Sequence, residues 1–169
     1  KQEEIRDLFI VGCMTGQRYS DYSRISMDNI KGDNIFILQK KTKNKAVVPV
    51  TDYVREIFAK YDGSLPDARC IQYFNKTIKL ICRKAGLTDL ITYEEDQGGQ
   101  IVMVKKEKCD MVSSHTARRT FITNTIRDKV PENMIMKLTG HKSSACFSRY
   151  NRLTLEDNAR SLAGTGYLS

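Results

Sequence analysis

Gly140-His141-Lys142-Ser143-Ser144-Ala145-Cys146-Phe147-Ser148-Arg149-Tyr150 is the stretch from which the rest of the chain is read. Ahead of it, Pro131 opens a helix whose apolar side is Met134, Ile135 and Leu138. Gly140 ends that helix, because glycine takes the left-handed turn at no steric cost. His141 then falls in the turn, and the residues up to Tyr150 read as a short helix carrying the phenol. Tyr150 is a candidate nucleophile. A phenol attacks poorly at its ordinary pKa of about 10, so it needs cations and hydrogen-bond donors where charge develops.

Those groups lie upstream. In Ser113-Ser114-His115-Thr116-Ala117-Arg118-Arg119-Thr120, either serine caps a helix running from His115 to about Asp128. That helix presents His115 and Arg118 on one face of its first turn, toward an anion at that end. Much earlier comes Thr15-Gly16-Gln17-Arg18-Tyr19-Ser20-Asp21. A helical stripe from Lys1 to Met14 (Ile5, Leu8, Phe9, Cys13) stops at Gly16, which sets Arg18 at the entry of a second helix, Ser20 to Met27. Between them, Ile35–Leu38 and Val47–Val50 read as antiparallel strands joined by a lysine-rich turn, Lys40 to Lys45. Thr51 caps a helix through about Tyr61, and Cys70 to Ala85 forms another, closed by Gly86. Leu90–Tyr93 and Ile101–Val104 predict a second hairpin, with nothing in its residues to separate a binding role from a connecting one. Leu153 to Leu162 reads as a last short helix. The fold class is α+β, mainly helical, with a small antiparallel sheet on one side of a helical core.

A lone His-x-x-Arg or Gly-His is weak, being more often structural than chemical. The ordered set is specific, and it resembles the tyrosine recombinases, or phage integrases, over almost the full length. In wording such as SHTARRTF the chain is most similar to integrases of conjugative transposons and other mobile elements. Carried over position by position, the resemblance implies a catalytic set of Arg18, a hairpin lysine best matched by Lys41, His115, Arg118, His141 and the nucleophile Tyr150. Lys40, Lys41 and Lys43 compete for the lysine role. Asp21 stands where the family commonly has glutamate and supports the set. Lys40, Lys43, Lys45, Arg119 and Lys142 are the expected DNA contacts. The implied reaction is cleavage and rejoining of double-stranded DNA at attachment sites through a 3′-phosphotyrosyl bond, with no cofactor and no metal. The arginines would hold the non-bridging oxygens, the histidines would add donors, and the lysine would protonate the leaving oxygen. Also implied are a homo-oligomer, a tetramer on DNA, that exchanges its C-terminal helix, and N-terminal DNA-binding domains lying outside these residues. Two other readings use the same residues: a type IB topoisomerase-like nicking-closing enzyme, and a non-catalytic DNA-binding accessory module.

Composition fits these expectations. The 169 residues suffice for one domain, 1–169, with a sizeable core, and 40% hydrophobic content without a long apolar run excludes a disordered chain or one that crosses a membrane. Lys and Arg exceed Asp and Glu by 28 to 20, a net +8 that favours a polyanionic partner without naming it. No signal peptide is seen at the start, which points to the cytoplasm. Five cysteines without C-x-x-C spacing argue against a disulfide framework and predict reduced, mostly buried thiols. Cys109, His115, His141 and Cys146 fit no zinc spacing.

Overall fold

The structure, a computed structural model, describes residues 1–148, with 150, 154, 156, 159, 160 and 163 beyond them, the side chain of Cys146 excepted. Helix α1 (Gln2–Thr15) is its axis. Ile5, Leu8 and Val11 line its inner face, all at most 2% exposed. Around it pack α3 (Asp52–Lys60), α4 (Ile71–Lys84) and α5 (Ser114–Arg127). The approach of α1 to α5 is close because Gly12 has no side chain: a Cβ there would press on the Tyr22 ring and on Ala117. That approach brings the end of α1 beside the first turns of α5.

Three short antiparallel strands, β1 (Ile30–Lys31), β2 (Asn34–Leu38) and β3 (Lys45–Pro49), cover one side of this core. The β2–β3 register pairs Ile35 with Val48 and Ile37 with Ala46, so the period of two buries these four and exposes Phe36, Leu38 and Val47. Strands β4 (Leu90–Gln97) and β5 (Gln100–Glu107) form the predicted second hairpin, longer than expected, with Gly98 and Gly99 at positive φ in a two-residue turn. Helix α6 (Glu132–Thr139) and the short α7 (Ser144–Ser148) follow α5 and close a second, smaller apolar cluster of Phe121, Ile122, Ile135 and Phe147.

Three expectations are corrected. The helix expected over Ser20–Met27 is only α2 (Tyr19–Tyr22); the chain then turns and makes a 3₁₀ turn at Met27–Asn29. Asn29 explains the break, since its Oδ1 accepts from the Ser26 N–H at 2.9 Å while its amide donates to Phe36 O at 3.0 Å, offering the backbone partners outside a helix. Second, among the described cysteines only Cys109 is buried; Cys13 and Cys82 are half-buried and Cys70 is exposed, all four as free thiols. Third, Tyr150 sits in a turn just after α7, with its N–H donating to Phe147 O at 2.8 Å. The helix expected at Leu153–Leu162 lies, for the most part, outside the described residues. Among the described residues no helix is long and apolar enough to cross a membrane.

Gly16 ends α1 in the left-handed region, φ 65°, and a Cβ there would collide with the Phe121 ring. Gly16→Ala therefore combines backbone strain with overpacking, each worth about 1–3 kcal/mol. Urea denaturation is expected to show at least about 2 kcal/mol of lost stability, and a loss below about 0.5 kcal/mol would mean that the turn relaxes freely.

Candidate active site

Arg118 is the largest side chain that is wholly buried. It does not reach out from the first turn of α5 as its spacing predicts. Its Nη1 donates to Gly16 O at 2.9 Å and its Nη2 to Thr139 O at 2.8 Å. Those carbonyls belong to the ends of α1 and α6, where the helix dipole is negative, so the buried cation bridges two helix C-termini. Burial first, and then the charge of Arg18, push the guanidinium down to about 10, which leaves it charged at neutral pH. The first-turn donors of α5 are partly engaged as well. Ser114 N–H donates to Asn75 Oδ1 at 2.8 Å and Ser113 N–H to Thr116 Oγ1 at 3.0 Å.

Arg18 is the N-cap residue of α2, as the turn at Gly16 requires. Its Nη1 and the Nε of Arg118 are both buried, and among the described residues neither has a hydrogen-bond partner. His141 and Tyr150 lie against Arg118. The Tyr150 ring centroid lies 5.5 Å from the Arg118 guanidinium carbon and 4.9 Å from the His141 ring. Arg118 Nη2 is 3.1 Å from His141 Nε2 and 3.3 Å from Nδ1, so it sits between the two nitrogens rather than along one lone pair.

His141 is held by Thr139, whose Oγ1 is 2.7 Å from Nδ1 and also donates to Ile135 O at 2.7 Å. A hydroxyl has one proton. With it on Ile135 O, the proton count assigns the other bond to Nδ1–H and leaves Nε2 bare. Burial, then Arg118 and Arg18, push the imidazole down to about 4. His115, more exposed, is also pushed down by burial and then by Arg119, Arg118, Arg18 and Lys41. Lys41 is thus near enough to His115 for its charge to be felt there. Lys40, Lys41, Lys43 and Lys45 are all exposed, as are Arg119 and Lys142. Lys43 and Lys45 share an open groove of about 620 Å³ with Lys137, Gly140 and His141. Asp21 is buried, accepts from the Lys40 N–H at 2.8 Å through Oδ1, and has Arg24 at 3.5 Å. The expected set therefore converges, with Arg18, Arg118, His141 and Tyr150 in contact or at close range and His115 and Lys41 nearer the surface.

Sequence reading missed a neutral network beneath the cations. Gln39 Nε2 donates to Gln17 Oε1 and to Thr139 O, both at 2.8 Å, and Gln39 Oε1 accepts from Thr42 Oγ1 at 2.6 Å. Gln17 Nε2 donates in turn to Leu138 O at 2.8 Å. The signal was there in the alternation Ile35, Ile37, Gln39, which puts an amide at the next inward position, just past the end of β2. As to metal ligands, the one gathering among the described residues is Glu107, Cys109 and Asp110, which includes neither histidine and whose two carboxylates are ion-paired with Arg83.

The model of the phage integrase family matches residues 1–156. The chain belongs to the phage integrase family. Comparison with curated proteins finds no sequence match. Among solved structures, the phage integrase chain superposes on a crystal structure of XerA recombinase with a TM-score of 0.67 at 16% identity, covering 99% of this chain and 65% of that one. XerH recombinase, in a post-cleavage complex with palindromic difH substrate, gives 0.66 at 14% identity, covering 95% and 45%. The Tn1549 transposon integrase, residues 82–397 with circular intermediate DNA, gives 0.58 at 14%, covering 96% and 58%. At such identities the likeness carries the fold, mainly helical with small antiparallel sheets. This chain spans about two thirds of the XerA structure and under half of the XerH one.

The depressed imidazole of His141 ties the stability of this phage integrase chain to pH. The unfolded chain takes up that proton near the ordinary value of about 6.5, and the folded chain only at about 4. The contribution is therefore complete above pH 6.5 and lost as pH falls through 4. Urea midpoints between pH 7 and 4 are expected to fall more steeply for the native chain than for His141→Gln. Parallel slopes would show that His141 titrates normally.

Proposed function

We propose that this chain carries the catalytic residues of a site-specific DNA recombinase, with Tyr150 as nucleophile. The observation that supports this most directly is the pair of buried guanidinium donors, Arg18 Nη1 and Arg118 Nε, both unpartnered among the described residues, with the Arg118 guanidinium lying against Tyr150 and His141. Unmet buried donors are costly, and a phosphodiester carries two non-bridging oxygens that match them. Tyr150 Oη attacks a backbone phosphorus, the bond to the 5′ oxygen breaks, and that oxygen leaves with a proton from Lys41. The phenolic proton passes to one of the neutral imidazoles. A 5′-hydroxyl later attacks the phosphotyrosyl bond and reverses the sequence. One diester replaces another, so the linkage conserves the bond energy.

The partner is double-stranded DNA at attachment sites. Lys40, Lys43, Lys45, Arg119 and Lys142 supply salt-sensitive phosphate contacts rather than sequence readout. The tip of the β4–β5 hairpin, with Glu94, Glu95 and Asp96, is unsuited to that role. Recombination needs paired sites, hence a homo-oligomer, a tetramer with its C-terminal helix exchanged between protomers, acting in the cytoplasm. The whole chain serves as one catalytic domain. The relatives XerA, XerH and Tn1549 integrase are named as recombinases or integrases, which favours strand exchange over nicking and closing.

Nicked suicide duplexes drawn from candidate attachment sites test this. The native chain is expected to form a covalent protein–DNA adduct, Tyr150→Phe to bind the same DNA with no adduct, and Arg18→Ala to form it about a hundred- to a thousand-fold more slowly. An adduct formed at the normal rate by Tyr150→Phe would overturn the assignment.

A further inference from the structure

We infer that Gln39 and Thr42 are positioning residues for the hairpin lysine: they fix the backbone on either side of Lys41 and join it to the carbonyl that holds Arg118. This rests on the recombinase reading above and deepens it.

Lys41 is exposed, but its neighbours are anchored. On one side the Lys40 N–H donates to the buried Asp21 Oδ1 at 2.8 Å, and on the other Thr42 Oγ1 donates to Gln39 Oε1 at 2.6 Å. The arch is closed beneath by Gln39 N–H to Asn44 O and Lys43 N–H to Gln39 O, both at 2.9 Å. Its backbone is therefore set before DNA arrives, and only the lysine's flexible stem remains to be ordered. Lys43 closes the arch through its backbone, at φ 56°, but its side chain faces the groove of Lys137 and His141.

Gln39 is itself wholly buried. Its two amide protons go to Gln17 Oε1 and Thr139 O, and Thr139 O also receives Arg118 Nη2 at 2.8 Å. The chain from Thr42 to Arg118 is thus three hydrogen bonds through one amide and one carbonyl. Gly140 lets the amide in, since a Cβ there would strike the Gln39 side chain. No other side chain of this shape donates twice and accepts once. A glutamate in its place would turn one carboxylate oxygen on two acceptors, and a leucine would leave Thr139 O and Gln17 Oε1 each one donor short.

A sulfur in place of the 5′ bridging oxygen gives a leaving group that departs without a proton, so it bypasses the acid and whatever positions it. Single-turnover cleavage is measured on the ordinary diester and on this phosphorothiolate, with DNA affinity and thermal unfolding in parallel. Lys41→Ala is expected to lose about a hundredfold or more on the diester. Thr42→Val is expected to lose about tenfold, and Gln39→Leu, where it folds, at least as much, since a misplacement of about 1 Å can cost about a hundredfold. Thr42→Ser should restore the rate, and the Lys41→Ala and Thr42→Val deficits should vanish on the sulfur substrate while affinity stays unchanged; Gln39→Leu should recover only in part, because Thr139 O, which also holds Arg118, has lost a donor. Thr42→Val cleaving normally, a Thr42→Val deficit that persists on sulfur, or rescue of Lys43→Ala instead of Lys41→Ala would overturn the inference. A native chain that forms no adduct on either substrate would overturn the recombinase reading itself.

Discussion

The structure depends on one buried guanidinium. Arg118 lies with no exposed surface between Gly16 O and Thr139 O, the carbonyls at which α1 and α6 end. Taking an ion out of water carries an effective penalty of several kcal/mol. Hydrogen bonds to a charged group return about 1.5–3 kcal/mol each, and each helix C-terminus adds about 0.3–1. Arg118 is therefore near balance only with both helix ends in place. The same side chain fixes where Gly16 stands, hence where Arg18 enters α2, and where Gly140 stands, hence where His141 and Tyr150 follow. A single contact couples residues from the two ends of the chain.

Such an arrangement accumulates positive charge. Arg18 lowers Arg118, and both lower His141; Arg119 and Lys41 join them in lowering His115. Two consequences follow from the one field. The imidazoles stay neutral at physiological pH, so the pocket does not become more cationic still. On the proposed reading, an incoming phosphate would meet donors that already repel one another, and relieving that repulsion would add to the attraction. Folding bears the strain, as sites built for ions generally do.

The legible part of the sequence was the part governed by local rules. Gly16 and Gly140 each stop a helix, Thr51 accepts from Val54 N–H as a cap, and the inward positions Ile35, Ile37, Ala46 and Val48 follow the strand period. Arg18, Arg118, His141 and Tyr150 were singled out through the family order they resemble, and folding puts the last three in contact. What was not legible was direction. Nothing local says that Arg118 turns inward, because that depends on two carbonyls 102 and 21 residues away. The break after Tyr22 was hidden for a similar reason: Asn29 finds Phe36 O on a neighbouring strand, a partner that helix propensity cannot count.

The neutral network was hidden differently, and its neutrality is part of how it works. Gln17, Gln39, Thr42 and Thr139 hold the lysine arch and the Gly140 turn with dipoles alone. A carboxylate at position 39 could have held Thr42 equally well. It would also have placed a negative charge beneath Arg118 and Lys41, cancelling the field that a phosphate is drawn to, and it would have faced Thr139 O without a proton to give. Within the cluster the one buried carboxylate, Asp21, stands at its edge and takes the Lys40 backbone N–H rather than an arginine of the pocket. Amides and hydroxyls can fix geometry to a few tenths of an ångström and leave the net charge untouched. For the proposed chemistry, which depends on unspent positive charge, that makes glutamine a better scaffold than an ion pair.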